Sequence, residues 1–267
     1  MSIDKLQQTL KGLRLSGMAA NLPIRYQEAK SHELDYLDFL SNLLADEYGR
    51  RQTNLLNRRL KAARFPAMKT IDDFDFDFNL TIKKKEILAL ASSSFIYKAQ
   101  NVLLIGPPGV GKSHIAIALG IAAIHNGYAV LHKSAFDLVA EMAEADTAKQ
   151  RKNYLATLIK PNLLIIDELG MKKMPQNTAD DLLEVVHRRH GNASTIIATN
   201  RIVSDWGTIL GDTAATAAIL DRFLENAIIF NIKGKSYRLS KNIRKDQFIV
   251  LESSTYPGTT EEVLTYS

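Results

Sequence analysis

The chain has 267 residues, of which 46% are hydrophobic and 24% are charged. This is the composition of a globular protein with enough apolar side chains for a sizeable core, and it excludes wholesale disorder. The chain contains no cysteine, which excludes disulfides, thiolate metal ligands and cysteine nucleophiles. Its 34 Lys and Arg residues outnumber the 29 acidic residues, a surplus that permits a polyanionic partner.

The amino-terminal residues do not have the pattern of a targeting segment. Charges interrupt the apolar residues from the first turn onward, and no small-residue cleavage site follows. No apolar run approaches the roughly 18 residues that are needed to cross a bilayer. We therefore expect a cytoplasmic protein without a membrane partner.

Residues 1–66 are predicted to form a small all-helical domain. Leucines recur at helical spacing without strand-like alternation, at Leu6, Leu10, Leu13, Leu37, Leu40, Leu43 and Leu44. Pro66 should end the last helix, since proline cannot continue a helix and disfavours helical backbone in the residue before it. We expect this domain to make contacts with DNA, with a partner protein or between subunits.

Residues 67–250 show short apolar runs separated by helical segments. The strand-length runs are Asn101–Ile105, Ala129–His132, Leu163–Ile166, Thr195–Ala198 and Ile228–Ile232. Strands that alternate with helices favour an α/β domain with a parallel sheet covered on both faces. Residues 251–267 are acidic and rich in Ser, Thr, Pro and Gly, which predicts a flexible tail.

A phosphate-binding loop follows the first predicted strand. Its eight residues are Gly106, Pro107, Pro108, Gly109, Val110, Gly111, Lys112 and Ser113. In a G-x-x-x-x-G-K-S loop the backbone N–H groups and the helix amino terminus bind phosphate, the lysine reaches the β and γ phosphates, and the serine hydroxyl binds Mg²⁺. This pattern predicts ATP and Mg²⁺ as cofactors, and we add the next residue, His114, to the nucleotide-binding set.

Two further strands end in residues that suit nucleotide hydrolysis. Asp167 and Glu168 follow an apolar strand; Asp167 would hold the magnesium ion, and Glu168 would take a proton from the attacking water. Asn200 follows the next strand, and its amide can bond both the γ phosphate and that water. The alternatives are ordinary helix-capping acids and a turn asparagine.

Two arginines are candidates for stabilising charge at the departing phosphate. Arg222 lies in a predicted helix before the last strand, where it could act on a neighbouring subunit as an arginine finger. The alternative is a surface salt bridge to Asp221 or Glu225. Arg238 follows the last strand and could reach the nucleotide within its own subunit, although an ordinary surface role is nearly as plausible.

Two basic clusters could bind the phosphates of duplex DNA. The first is Arg50, Arg51, Arg58, Arg59, Lys61 and Arg64, a stretch without an acidic residue. The second is Lys233, Lys235, Arg238, Lys241, Arg244 and Lys245. Such groups give salt-dependent affinity without base readout. The alternative for either cluster is a solvated face, and the chain has no zinc-finger or recognition-helix motif.

The segments GPPGVGKS, LLIIDE, IIATN, ILDRF and GKSYR, in this order, resemble the IstB branch of the DnaC-like AAA+ ATPases. The stretches Asn57–Pro66 and Lys69–Phe76 are similar to the segment that joins the two domains in IstB proteins. The resemblance implies an AAA+ fold with a five-stranded parallel sheet and a reduced or absent lid domain. It also implies an ATP-dependent transposition helper that forms a homo-oligomer on duplex DNA, deforms the DNA, and recruits and stimulates a partner transposase.

Two other functions are compatible with part of the sequence. Helicase loaders of the DnaC or DnaI type resemble this chain across the ATPase core but have unrelated amino-terminal domains. The joining segment therefore favours the IstB interpretation. A small-molecule kinase must exclude water from its site, whereas Glu168 beside Asp167 is suited to activating water.

Overall fold

The computed structural model describes residues 2–171 and 176–240. The chain divides into two compact units, one up to Phe65 and one from Pro66 onward. The predicted flexible tail at 251–267 lies outside the described residues, as do Lys241, Arg244 and Lys245 of the second basic cluster. The same holds for any lid segment after residue 240.

The first unit is helical, with α1 at Ile3–Gly12, α2 at Ser16–Ser31 and α3 at Tyr36–Ala63. Its core is small and consists of Met18, Leu22 and Leu43, with Ile3, Leu10, Leu15 and Phe39 packed against them. The other leucines of the predicted pattern in α3, namely Leu37, Leu40 and Leu44, are exposed. The helical spacing thus predicted the helix, but it did not predict which of its leucines are buried.

A buried carboxylate joins α2 to α3. Glu47 Oε2 accepts hydrogen bonds from the backbone N–H groups of Gly17 at 2.6 Å and Met18 at 3.3 Å. It thereby satisfies two of the amides that the start of a helix leaves without partners. Arg51 Nε donates to Glu47 Oε1 at 2.7 Å, and this contact, with the two backbone donors, outweighs burial and holds the pKa of Glu47 below its ordinary value.

The second unit contains a five-stranded sheet in the order β2-β3-β4-β1-β5. The strands are β1 at Asn101–Ile105, β2 at Val130–Ser134, β3 at Leu163–Leu169, β4 at Ser194–Thr199 and β5 at Ala227–Asn231. Every neighbouring pair is parallel, as the sequence predicts. The predicted bounds of β3 were too short, because this strand resumes pairing with β4 at Leu169 after an irregularity that follows Ile166.

The helices of the second unit cover the sheet, and the helix at Lys112–His125 is almost wholly buried. They are α4 (Lys84–Ala91), α5 (Ser94–Tyr97), α6 (Lys112–His125), α7 (Ala135–Glu144), α8 (Ala148–Ile159), α9 (Gln176–Arg189), α10 (Trp206–Leu210) and α11 (Thr213–Leu224). Because strands buried on both faces read as continuous apolar runs, the sequence identified β1, β3 and β4 most clearly. Trp206 is buried in the core beside α9 and α11.

The arrangement of the strands brings the predicted site residues to one edge of the sheet. The strands are parallel, so the carboxyl ends of β1, β3 and β4 lie side by side. Ligands of open α/β sheets bind in the crevice beyond this edge. The phosphate-binding loop and Asn200 follow directly after β1 and β4, and Asp167 lies near the carboxyl end of β3.

Candidate nucleotide-binding site

The loop between β1 and α6 has a backbone that requires glycine at two positions. Gly109 and Gly111 have φ values of 83° and 108°, in the region that residues with side chains rarely adopt. A Cβ on Gly109 would lie 2.1 Å from Ser236 Oγ, and one on Gly111 would lie 2.6 Å from the Phe74 ring. These neighbours press closely on the loop, so both conformation and space exclude a side chain there.

Lys112, the first residue of α6, has its ammonium group inside the loop. Its Nζ donates to the carbonyl oxygen of Gly106 at 2.7 Å and to that of Pro107 at 2.8 Å. Burial lowers the pKa of Lys112, the carboxylate of Asp167 opposes this, and Arg238 adds to it. The ammonium group of Lys112 is therefore partly desolvated and lies near a second cation, the guanidinium of Arg238.

Ser113 and Asp167 lie in contact at the start of α6 and the end of β3. Ser113 Oγ donates to Asp167 Oδ1 at 3.0 Å, and Asp167 is only 5% exposed. Burial raises the pKa of Asp167, but hydrogen bonds from His132, Ser113 and the Glu168 N–H outweigh it, so the net pKa is lowered. The pair thus offers Mg²⁺ a hydroxyl and a carboxylate oxygen.

This donor set fits a magnesium ion that arrives with a nucleotide. Mg²⁺ prefers oxygen ligands and commonly takes one or two from the protein, with phosphate and water completing its octahedron. Within residues 2–171 and 176–240, no group of three or more His, Cys, Asp or Glu side chains could hold a metal ion.

Glu168 and Asn200 flank this pair. Glu168 has a φ of 62°, its side chain is exposed, and its N–H donates to Asp167 Oδ1 at 2.8 Å. Asn200 Nδ2 donates to the Met171 sulfur at 3.1 Å. Among the described residues, Asn200 Oδ1 is buried and has no hydrogen-bond partner.

A cavity of about 340 Å³ brings most of the predicted site residues together. Its lining includes Pro108, Gly109, Val110, Gly111, Lys112, Ser113, His114, Asp167, Glu168, Asn200 and Arg238. Gly106 and Pro107 are not in this lining and contact the site through the carbonyls that bind Lys112. The three strand ends thus contribute to a single cavity.

The sequence interpretation missed one wall of the cavity except for Tyr237, for which it offers two roles, packing on adenine or covering the sheet edge. This wall consists of Lys69, Asp73, Phe74, Asp75, Phe78, Asn79 and Tyr237, and Met171 also lines the cavity. The wall is rich in aromatic rings: Phe78 and Tyr237 pack edge to face with centroids 5.0 Å apart, and Phe74 packs likewise on His114 at 5.1 Å. The FDFDFN run at 74–79 was the available signal, because aromatic residues recur there at every second position.

Two segments hold the phosphate-binding loop from outside. Asn79 Nδ2 donates to the Val110 carbonyl at 3.4 Å, and the Tyr237 N–H donates to the Gly109 carbonyl at 3.0 Å. Both contacts use backbone atoms of the loop, so no motif search on side chains would identify them. The segments at 70–81 and 232–238 are therefore parts of the site.

The two candidate arginines differ in position. Arg238 lines the cavity, whereas Arg222 on α11 lies outside it. Arg222 is half-buried; its Nε donates to His187 Nδ1 at 3.1 Å and its Nη1 to the Ala218 carbonyl at 3.0 Å. It forms neither of the salt bridges that were considered as alternatives; Glu225 instead pairs with His190.

The first basic cluster lies in the carboxyl-terminal half of α3 and just beyond it, in the first unit. Arg51 is engaged with Glu47, and Arg50 Nη1 donates to the Ser16 carbonyl at 3.3 Å. Arg58 and Lys61 are exposed, and Arg59 is half-buried. Arg64 is exposed and ends the helix with a φ of 58°. Arg50 and Arg51 thus have hydrogen-bond partners within the unit, although both are exposed, as are Arg58, Lys61 and Arg64.

In the part of the chain that the structure describes, no helix combines the length and apolar character of a membrane span.

Comparison with known proteins identifies the family. The sequence model described as "IstB-like ATP binding protein" matches residues 8–245. The ATP-binding protein of insertion sequence IS5376 from Geobacillus stearothermophilus is 37% identical over 236 residues, which is 88% of this chain and 94% of that protein. Its counterpart of IS21 from Pseudomonas aeruginosa is 35% identical over 262 residues and 98% of each chain.

Solved structures confirm the AAA+ fold class. The crystal structure of DnaI aligns with a TM-score of 0.52 at 18% identity, covering 61% of this chain and 90% of that one. The DnaC helicase loader aligns with a TM-score of 0.51 at 21% identity, covering 66% and 99%. At these identities the likeness establishes the fold alone. The alignments with the two insertion-sequence proteins, in contrast, cover nearly the whole length of those proteins. The chain belongs to the IstB-like ATP binding protein family.

Proposed function

We propose that this protein is a transposition helper ATPase. It hydrolyses ATP with Mg²⁺, forms a homo-oligomer on duplex DNA with little sequence preference, deforms that DNA, and recruits and stimulates a partner transposase. ATP hydrolysis controls the assembly. The observation that supports the enzymatic part most directly is the 3.0 Å contact between Ser113 Oγ and Asp167 Oδ1, with Glu168 and Asn200 lining the same cavity.

The residues of the cavity suit distinct steps of hydrolysis. Lys112 would exchange its two carbonyl partners for the β and γ phosphates. Ser113 and Asp167 would hold the magnesium ion, which when bound neutralises charge on the phosphates. Glu168, exposed beside them, would accept the proton of the attacking water. Asn200 would orient that water and the γ phosphate through its amide.

The wall formed by Phe74, Phe78 and Tyr237 suits the base of the nucleotide. Aromatic side chains offer a large apolar surface for a flat ring. They lie at the flank of the loop, on segments that contact Gly109, Val110 and Gly111. The base therefore has a place that is separate from the hydrolytic groups.

The insertion-sequence relatives support the role in transposition. Proteins that are named as ATP-binding proteins of IS5376 and IS21 are similar to this chain over nearly its whole length, including the helical unit. The likeness to DnaI and DnaC covers 61–66% of the chain and supports only a shared fold. We therefore favour the transposition helper over a helicase loader.

The decisive experiment for this function is the measurement of assembly size. We expect sedimentation of the protein with duplex DNA and a non-hydrolysable ATP analogue to show a multi-subunit complex. Lys112→Ala should fail to assemble, because the phosphates lose their principal cation. A protein that remains a single copy with both ligands in excess would contradict the proposal.

Arg58, Arg59 and Lys61 are expected to set the salt dependence of DNA binding. Each phosphate contact contributes about 0.9 to the slope of log affinity against log salt. Replacing all three with glutamine should therefore reduce the magnitude of the slope by about 2–3. The measurement is a titration of duplex DNA at several salt concentrations.

A matched control replaces three exposed lysines of the second unit, Lys149, Lys152 and Lys160, with glutamine. The net charge changes equally, so a general charge effect would appear in both variants. An unaltered slope in the α3 variant would assign Arg58, Arg59 and Lys61 to an ordinary solvated face.

A further inference from the structure

The carboxyl ends of β3 and β4 are connected by side-chain hydrogen bonds in addition to the pairing of Leu169 with Thr199. Thr199 Oγ1 donates to the Leu169 carbonyl at 2.7 Å, and Arg201 Nε donates to the Gly170 carbonyl at 3.4 Å. A Cβ on Gly170 would lie 2.7 Å from Arg201 Cγ, so the Arg201 side chain packs closely on this glycine. Thr199 and Arg201 thus hold the turn at the end of β3.

That turn begins at Glu168 and ends at Met171. The Met171 N–H donates to the Glu168 carbonyl at 3.2 Å, which closes the turn. Met171 then accepts a hydrogen bond on its sulfur from Asn200 Nδ2 at 3.1 Å. This four-residue turn therefore carries Glu168, the proposed general base, at its start and contacts the Asn200 amide at its end.

The chemistry of the thioether determines how the Asn200 amide is oriented. A methionine sulfur is a weak acceptor and has no proton to donate, so only the NH₂ side of the amide can face it. The carbonyl oxygen must then face the other way, where it is buried without a partner among the described residues. A buried acceptor without a partner is unfavourable, so the contact with the sulfur is what holds this orientation.

We propose that Met171 is a positioning residue that fixes the amide orientation of Asn200 for hydrolysis. This inference rests on the proposed ATPase activity. Met171 takes one of the two Nδ2 protons and leaves the other for the γ phosphate or the attacking water, while Oδ1 stays on the side away from the sulfur. Without the sulfur, the flipped amide, which places the donor and acceptor on the wrong sides, is also populated.

Met171→Leu tests this role, because leucine has a similar volume but no acceptor. Loss of one neutral hydrogen bond, about 1 kcal/mol, corresponds to an expected fall in kcat of about fivefold. The KM for ATP and the affinity for ADP should stay unchanged, since the amide acts in the transition state. Met171→Gln, which supplies a carbonyl acceptor, should recover part of the loss.

Making the Met171 substitution in an Asn200→Ala protein shows whether Met171 acts through Asn200. Once the amide is gone, Met171→Leu should lower kcat no further, so the two changes should be non-additive. Met68→Leu is the matched control, since Met68 is 59% exposed against 52% for Met171 and lies outside the cavity.

The outcomes separate this inference from the proposed function. If Asn200→Ala impairs hydrolysis but Met171→Leu leaves kcat unchanged, or if their effects simply add, the positioning role is overturned and the ATPase stands. If the unmodified protein hydrolyses no ATP with DNA present, the proposed ATPase activity falls and the role of Met171 falls with it.

Discussion

Replacing Glu168 with glutamine is expected to lower the kcat of ATP hydrolysis by about 10²–10⁴-fold, the usual contribution of a general base. ATP should remain bound, because Glu168 contacts Asp167 through its backbone N–H and not through its carboxylate. The variant should therefore accumulate in the ATP-bound, DNA-bound assembly. Single-turnover hydrolysis and retention of labelled ATP measure the two effects separately.

A glycine at the same position separates chemistry from folding. Glu168 has a φ of 62°, a conformation that costs a residue with a side chain about 1–3 kcal/mol and glycine little. Glu168→Gly should therefore lose hydrolysis as Glu168→Gln does but unfold at higher denaturant concentration. Glu144→Gln, an exposed acid of α7, should change neither property. Normal turnover by Glu168→Gln would place the base elsewhere.

Arg222→Ala is expected to reduce hydrolysis by about 10³–10⁵-fold, the range for an arginine finger, without weakening ATP binding. The residue lies on α11 and outside the cavity of its own subunit, so it can reach a nucleotide only in a neighbouring copy. Steady-state turnover and ATP affinity, measured in the presence of duplex DNA, test the two parts of this prediction.

Mixing two inactive variants tests action between subunits. Lys112→Ala should not bind the nucleotide and should not assemble by itself, but it keeps Arg222, which can complete the ATP-filled site of an Arg222→Ala neighbour. Mixed assemblies should therefore regain part of the turnover. Arg188→Ala, which removes an exposed arginine paired with Glu184, is the control and should stay active. Absence of rescue at every mixing ratio would contradict a role in trans.

The sheet could be predicted because its central strands are apolar and short. Asn101–Ile105 was predicted to the residue, and the phosphate-binding loop that follows it has a fixed spacing. Boundaries were less accurate where pairing becomes irregular. β3 continues to Leu169, but Asp167 and Glu168 interrupt the apolar run, so the pattern ends before the strand does.

The cavity wall could not be predicted in the same way. Phe74, Phe78 and Asn79 lie in a segment without regular secondary structure, so the alternation of aromatic residues there does not correspond to a strand face from which burial could be inferred. The resemblance singled out 69–76 as a joining segment and gave it no contact with nucleotide. Met171 was equally hidden, since its contact with Asn200 depends on the turn after β3 and not on any spacing.

The contacts of Phe74 and Asn79 with the phosphate-binding loop have a thermodynamic consequence. The chain reaches these two residues soon after the boundary between the two units at Pro66. Binding free energies are reciprocal: if the protein binds duplex DNA as proposed, whatever factor the duplex imposes on the affinity for ATP, ATP must impose on the affinity for the duplex. The two ligands would then act as mutual effectors, and measuring either dependence would determine the other.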